Sequence, residues 1–289
     1  MDPTLRIEQV LEAAIITAQG PGCPPGFAQA LHYAVFPGGA RIRPRLCVAV
    51  AWACGDSDPQ TTDAAAAAIE LLHCASLVHD DLPCFEDSPQ RRGRPSVHVA
   101  YGERLAVLAG DALIVLAFEI LARRIVAAPV NVSRVMATVA GCTGAPVGIC
   151  AGQAWECETD IVLADYHRAK TGSLFVAAAV AGAESVGAPT EAWRLVGERL
   201  GEAYQVADDL GDAMASSRDM GKPLGRDSSL GRPNAVQELG VTGAVRRLQD
   251  LIAGAADAVP SCPGASALQA LIAGESRRIL PEELARLVA

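Results

Sequence analysis

Two long apolar runs with almost no helix breakers constrain this chain most. Residues 61–78 form an Ala/Leu/Ile-rich stretch headed by Thr61, Thr62 and Asp63 as candidate caps, and Leu105 to Val126 carries no proline and only Gly110. Each run is longer than an ordinary strand. Aromatic residues are only 4% of the chain, and the apolar set is mostly Ala, Val and Leu, which favours helices over sheet. The spacing predicts an all-α protein. Breakers recur at Pro21–Pro25, Pro37–Gly39, Gly55–Pro59, Pro83–Pro95, Gly182–Pro189, Gly221–Pro233 and Pro260–Gly264, which delimit many helices without a low-complexity linker. One helical domain over residues 1–289 is the expected organisation.

Charge narrows the function. Lys and Arg number 24 against 33 Asp and Glu, a formal net charge of −9, so the basic field of a nucleic-acid binder is missing. The stretch from Leu105 to Ala122 is interrupted by Asp111 and Glu119, so no transmembrane segment is expected. Asp2, Arg6 and Glu8 with no apolar region following do not read as a secretory signal, and a cytoplasmic protein is expected. Nine cysteines without a C-x-x-C spacing read as reduced, mostly buried small hydrophobes.

Two segments carry chemistry. In HCASLVHDDLPCFEDSPQRRGRP, His73 to Pro95, the acids Asp80, Asp81, Glu86 and Asp87 precede the cationic pair Arg91–Arg92. In AYQVADDLGDAMASSRDMGKPLGRD, Ala203 to Asp227, Asp208 and Asp212 share one helical face with Asp209 beside them, and Lys222 follows in a Gly/Pro-rich stretch. Adjacent carboxylates at a helix end repel one another unless a cation lies between them, and Mg²⁺ suits such oxygen donors. Either cluster alone could be a solvated acidic face; two of the same design read as two walls of one metal–phosphate site. Besides them, Gly38–Gly39 with Arg41, Arg43 and Arg45, and Lys170 with Thr171, offer donors for phosphates. The set suits a substrate with several phosphates and a long apolar tail.

At these residues the chain resembles the trans-type polyprenyl (isoprenyl) diphosphate synthases, from roughly Gly26 to Gly254. GGARIRP, HCASLVHDDLP, AVLAGDAL, CAGQAWE, AKTG, YQVADDL and GRPNAV occur in family order and are similar to the geranylgeranyl-forming branch of purple bacteria. The resemblance implies an isoprenoid synthase-type helical bundle around a deep central cavity, usually as a homodimer. It implies Mg²⁺, with Mn²⁺ as a substitute, and condensation of allylic diphosphates with isopentenyl diphosphate for carotenoid or another diterpenoid route. Carried over by position, Asp80, Asp81 and Glu86 would hold metal on one wall and Asp208, Asp209 and Asp212 on the other. Arg91, Lys170 and Lys222 would grip the allylic diphosphate. Gly39, Arg43, His73 and Arg92 would bind isopentenyl diphosphate, with Arg232 standing where a binding Lys is usual, and Thr171 and Gln205 would line the reaction centre.

Chain length is expected to follow from Ala75 and Ser76, small residues five and four positions upstream of Asp80, about a turn and more below the metal, that leave the cavity deep enough for a twenty-carbon product. A fifteen-carbon farnesyl product and a non-catalytic partner subunit are the alternatives. Departures from the family pattern are Glu86 in place of an Asp, with Asp87 as the rival metal ligand, Ala40 and Val99 in place of Lys, and Arg232.

Overall fold

The computed structural model describes residues 2–218 and 234–279, with side chains of 214–218 and 275–279 left aside. Helices dominate: α1 (Pro3–Ala18), α2 (Pro25–Val35), α3 (Ile42–Ala53), α4 (Pro59–Asp80), α5 (Val97–Tyr101), α6 (Glu103–Ala122), α7 (Pro129–Thr143), α8 (Ile149–Ala154), α9 (Leu163–His167), α10 (Ser173–Ser185), α11 (Glu191–Arg218), α12 (Ala235–Asp257) and α13 (Ala265–Ile279). Two strands, β1 (Gln90–Arg91) and β2 (Arg94–Pro95), form a small hairpin. The all-α expectation holds.

Proline at the first helical position and an acid or amide before it start several helices. Asp2 accepts from Thr4 N at 2.9 Å ahead of Pro3, and Asp58 accepts from Thr61 N at 3.1 Å ahead of Pro59. The cap of α4 is therefore Asp58; Thr61 and Thr62 lie buried inside the first turn, and Asp63 pairs with Arg6. Proline's fixed φ and missing N–H suit it to that first position, which moves the start upstream of the hydroxyls.

The two inner helices are α4 and α10. Every residue of α10 is buried, and the helix packs against α3, α4, α7 and α11. Small residues allow that approach: a Cβ on Gly182 would lie 2.5 Å from Cys47 O on α3, and one on Gly197 of α11 would lie 2.6 Å from Val176 Cα. Ala64–Ala68 play the same part on α4, which packs against α6. Replacing a fully buried leucine such as Leu113 of α6 by Ala would cost about 2–5 kcal/mol.

Helix α6 reaches a mean hydropathy of 2.3 and is by length and composition alone able to cross a bilayer, with 39% of that window buried. Asp111 and Glu119 lie on its exposed side, where Val107, Leu108 and Val115 are also uncovered. The cysteines differ from expectation: Cys47 and Cys74 are buried, Cys84, Cys150 and Cys157 are exposed, and the other four are intermediate.

Candidate active site

The acidic wall forms where α4 ends. Asp80 closes the helix and Asp81 caps it, after which the chain folds back, with Glu86 N donating to Asp80 O at 3.0 Å and Ser88 N to Asp81 O at 3.1 Å. That turn returns the Glu86 side chain to Asp80. Asp87 has a left-handed backbone (φ 47°) and turns to His98 Nε2 at 3.9 Å. Of the two rivals, Glu86 stands with Asp80 and Asp87 stands apart.

Two cations span this wall. Lys170 Nζ donates to Asp80 at 3.2 Å and to Glu86 at 3.5 Å. Arg91 donates from Nε and Nη2 to Asp81 Oδ1 at 3.0 and 2.5 Å, and its Nη2 lies 3.6 Å from Asp80 and 3.9 Å from Glu86. Burial pushes the Glu86 carboxyl up, and Asp80 pushes the same way against Lys170 and Arg91. Burial also raises Asp81 despite its bond to Arg91. For Lys170, burial works against the charge but Asp80, Tyr166 and Glu156 raise its pKa.

The hairpin explains how adjacent arginines serve two places. Arg92 (φ 56°) and Gly93 (φ 76°) make a two-residue turn with both central residues at positive φ. Arg91, paired with Arg94, points to the acids, while the Arg92 guanidinium lies flat on Gly39, where a Cβ would come within 2.7 Å of it. Gly39 thus makes room for Arg92, one of the residues expected beside it at isopentenyl diphosphate.

Beside Arg92 lies a basin of positive charge. Arg43 Nη1 is 3.3 Å from His73 Nε2, its guanidinium stacks 4.6 Å over Phe175, and its Nε is buried without a hydrogen-bond partner. Burial lowers Arg43, and burial together with Arg43, Arg92, Arg91 and Arg41 holds His73 well below the usual imidazole range, so it is neutral. An orphaned guanidinium nitrogen beside a second arginine is a place for an anion. Arg41 belongs elsewhere: with φ 50° it buries its guanidinium between Glu70 Oε1 at 2.6 Å, Glu8 Oε1 at 2.8 Å and Val35 O at 2.9 Å. It is a structural tie between α1 and α4, and its guanidinium fills the space Gly38 leaves. Arg45 lines a small apolar cavity with Leu46, Leu271 and Ile272.

The Lys170 segment has a local signature of its own. Arg168–Gly172 form a single π-helical turn, a departure from α geometry common at functional sites. Gly152 of α8 presses on its backbone, leaving no room for a Cβ. Thr171 Oγ1 donates to Gln205 Oε1 at 2.8 Å, which joins this turn to α11. On α11, Gln205 Nε2 donates to Asp209 at 3.2 Å and Ala235 N donates to the other Asp209 oxygen at 2.8 Å. Asp209 is thereby committed to the start of α12. Asp208 and Asp212 are the other acids of this wall, and both keep some accessible surface. Desolvation raises Asp208 to about 6 against the pull of Arg43, with Asp212 and Asp209 adding to the rise.

The donors on both walls are carboxylate oxygens, the set a hard divalent cation takes. Glu86 and Asp208 are each destabilised as anions by burial and by neighbouring acids, so a cation there relieves a strain the protein carries. Among the described residues no three acids converge on one point, since Lys170 and Arg91 hold those of α4. The residues fit the metal by donor type and charge. Lys222 and Arg232 lie outside the described residues.

A cavity of about 620 Å³ opens between α9, the π turn, α11 and α12, with Gln205 and Asp209 in its lining. Ala75 and Ser76 are not in that lining: Ala75 is buried, and Ser76 Oγ donates back to His73 O at 2.8 Å. One contributor went unassigned in the sequence reading. Glu156 accepts from Lys170 Nζ at 2.6 Å and from Tyr166 OH at 2.7 Å, and its place in CAGQAWE, close before AKTG, was the available signal.

Known proteins are similar to this chain in sequence and in fold. The polyprenyl synthetase family model matches residues 24–259. A geranylgeranyl diphosphate synthase from Cereibacter sphaeroides is 53% identical over 97% of this chain and 97% of its own. Among solved structures, a geranyltransferase from Legionella pneumophila superposes with a TM-score of 0.80 at 26% identity, covering 99% of this chain and 96% of that one. A geranyltransferase from Helicobacter pylori, complexed with magnesium and isoprenyl diphosphate, has a TM-score of 0.75 at 26% identity, covering 95% and 97%.

Proposed function

The chain belongs to the polyprenyl synthetase family, and on that premise we propose that it is a trans-prenyltransferase joining allylic diphosphates to isopentenyl diphosphate, with twenty-carbon geranylgeranyl diphosphate as product. The observation that carries the reading is the pairing of an acid wall with a separate basic basin, where Arg43, with its Nε unpartnered, and Arg92 flank a neutral His73. A condensation of two diphosphates needs two such places.

Asp80, Asp81 and Glu86 on one wall, and Asp208 and Asp212 on the other, would hold Mg²⁺, with Mn²⁺ as a substitute; when bound, the metal neutralises charge on the leaving diphosphate. Lys170 and Arg91, already poised over the acids, supply donors to the same diphosphate as its carbon–oxygen bond breaks. Arg43 and Arg92 anchor the diphosphate of isopentenyl diphosphate, and neutral His73 adds a hydrogen bond without further repulsion between like charges. The isopentenyl double bond attacks the allylic cation, and a proton then leaves the adduct. Thr171 spends its proton on Gln205, which leaves hydroxyl lone pairs to face developing positive charge. The complete acid set and Lys170 favour a catalytic subunit over a modulating one.

The twenty-carbon product is favoured by small Ala75 and Ser76 on α4 and by the Cereibacter relative. The family match over residues 24–259 favours a single domain, and the uncovered Val107, Leu108 and Val115 of α6 favour a homodimer through that face. Incubation with Mg²⁺, isopentenyl diphosphate and allylic diphosphates of five, ten or fifteen carbons should give a twenty-carbon product in all three cases, and Ala75→Phe should shorten it. Accumulation of fifteen carbons would overturn the chain-length reading. No product from any starter would overturn the enzyme itself.

A further inference from the structure

Glu156 lies on a short 3₁₀ turn, Trp155–Cys157, directly after α8. Its two oxygens are held from three sides: Gln153 Nε2 donates to Oε2 at 3.0 Å, while Tyr166 OH and Lys170 Nζ both donate to Oε1. The Lys170 ammonium is therefore shared among three carboxylates, and the contact to Glu156, at 2.6 Å, is shorter than those to Asp80 at 3.2 Å and Glu86 at 3.5 Å. The ring of Tyr166 also lies 5.8 Å from Nζ. Glu156 and Tyr166 form an anchor, and the wall is where the tethered ammonium reaches.

We propose that Glu156 is a positioning residue that draws Lys170 off Asp80 and Glu86, keeping the acid wall open to a divalent cation while leaving the ammonium aimed at the bound diphosphate. Without that anchor, Lys170 pairs fully with Asp80 and Glu86 and competes with the metal. The proposal rests on the reading of Asp80 and Glu86 as the metal-holding wall. It differs from a direct ligand role for Glu156, because Glu156 acts by holding the Lys170 ammonium, and the charge it also sets near Glu86 is kept in Glu156→Asp.

The test uses the full chain without substrates and Mn²⁺ as the probe, with free Mn²⁺ read by electron paramagnetic resonance. Glu156→Asp keeps the charge but shortens the reach, and it should weaken Mn²⁺ binding by about fivefold, the size of a redistributed ion pair. Tyr166→Phe should shift it in the same direction by less. In a Lys170→Ala background, Glu156→Asp should change Mn²⁺ affinity by under about twofold. With substrates present, Glu156→Asp should raise KM for the allylic diphosphate and leave KM for isopentenyl diphosphate unchanged, a split that a general loss of fold would not give. An undiminished effect of Glu156→Asp in the Lys170→Ala background, or no effect in the wild type, would overturn the proposal. Asp80→Asn is the separate control: unchanged Mn²⁺ affinity there would refute the metal-wall reading itself.

Discussion

The end of α4 and the start of α3 are opposite in charge balance. At the end of α4, each acid that faces the cleft has a cation: Asp81 has Arg91, and Asp80 and Glu86 share Lys170 and Arg91. At the start of α3, Arg43 meets a neutral imidazole, an aromatic face and Arg92, and one of its nitrogens has no partner. A buried guanidinium left short of hydrogen bonds costs stability unless a ligand supplies them. The first region can exchange its protein cations for a metal and still be balanced, whereas in the second Glu70 and Asp208 act on Arg43 only through their charge, and its Nε is satisfied when an anion arrives. The two ends therefore recruit their ligands by different routes.

The largest effect is expected on the acid side. Asp80→Asn should lower kcat by about 10²–10³-fold or more, measured at saturating substrates, with the circular dichroism spectrum unchanged. Next in size is a pair of arginines two residues apart. Arg41→Met leaves buried Glu70 without its partner and should cost about 3–5 kcal/mol in denaturant unfolding, with KM values unchanged. Arg43→Gln should do the reverse, raising KM for isopentenyl diphosphate by about 10–100-fold while stability holds or rises. If both arginines changed KM alike, the contrast between a structural and a ligand-binding guanidinium would be lost.

The smallest effect separates the regions by pH. His73 is held neutral in the folded protein but titrates near its ordinary pKa of about 6.5 when unfolded. The unfolded state binds the extra proton, so stability falls as pH drops from 7 to 5. His73→Asn should flatten that slope in pH-dependent urea melts, and an unchanged slope would show that other groups produce it.

Much of the fold was legible because helix signals are local: proline at the first turn, an acid before it, and runs of Ala and Leu without breakers. The acidic clusters were legible for the same reason. What escaped depends on partners far along the chain. Arg41 and Arg43 look alike in GGARIRP, and only Glu8 and Glu70 make the first of them structural. The resemblance divides Arg91 and Arg92 between two diphosphates, but the physical cause, the turn at Arg92–Gly93, could not be read from the adjacent pair alone. Glu86 and Asp87 could not be separated by helical period because the chain folds back after α4, and backbone bonds to Asp80 and Asp81 decide which one returns. Asp209 reads as a metal-facing acid like its neighbours, yet the amide of Ala235 takes one of its oxygens.

The most direct measurement is calorimetric binding of isopentenyl diphosphate to the protein with and without Mg²⁺, for the wild type and Arg43→Gln. The expected result is binding to the metal-free wild type that Mg²⁺ changes little and that Arg43→Gln abolishes. Binding that requires Mg²⁺, or that survives loss of Arg43, would contradict the division of the site into an acid wall for metal and a basic basin for the second diphosphate.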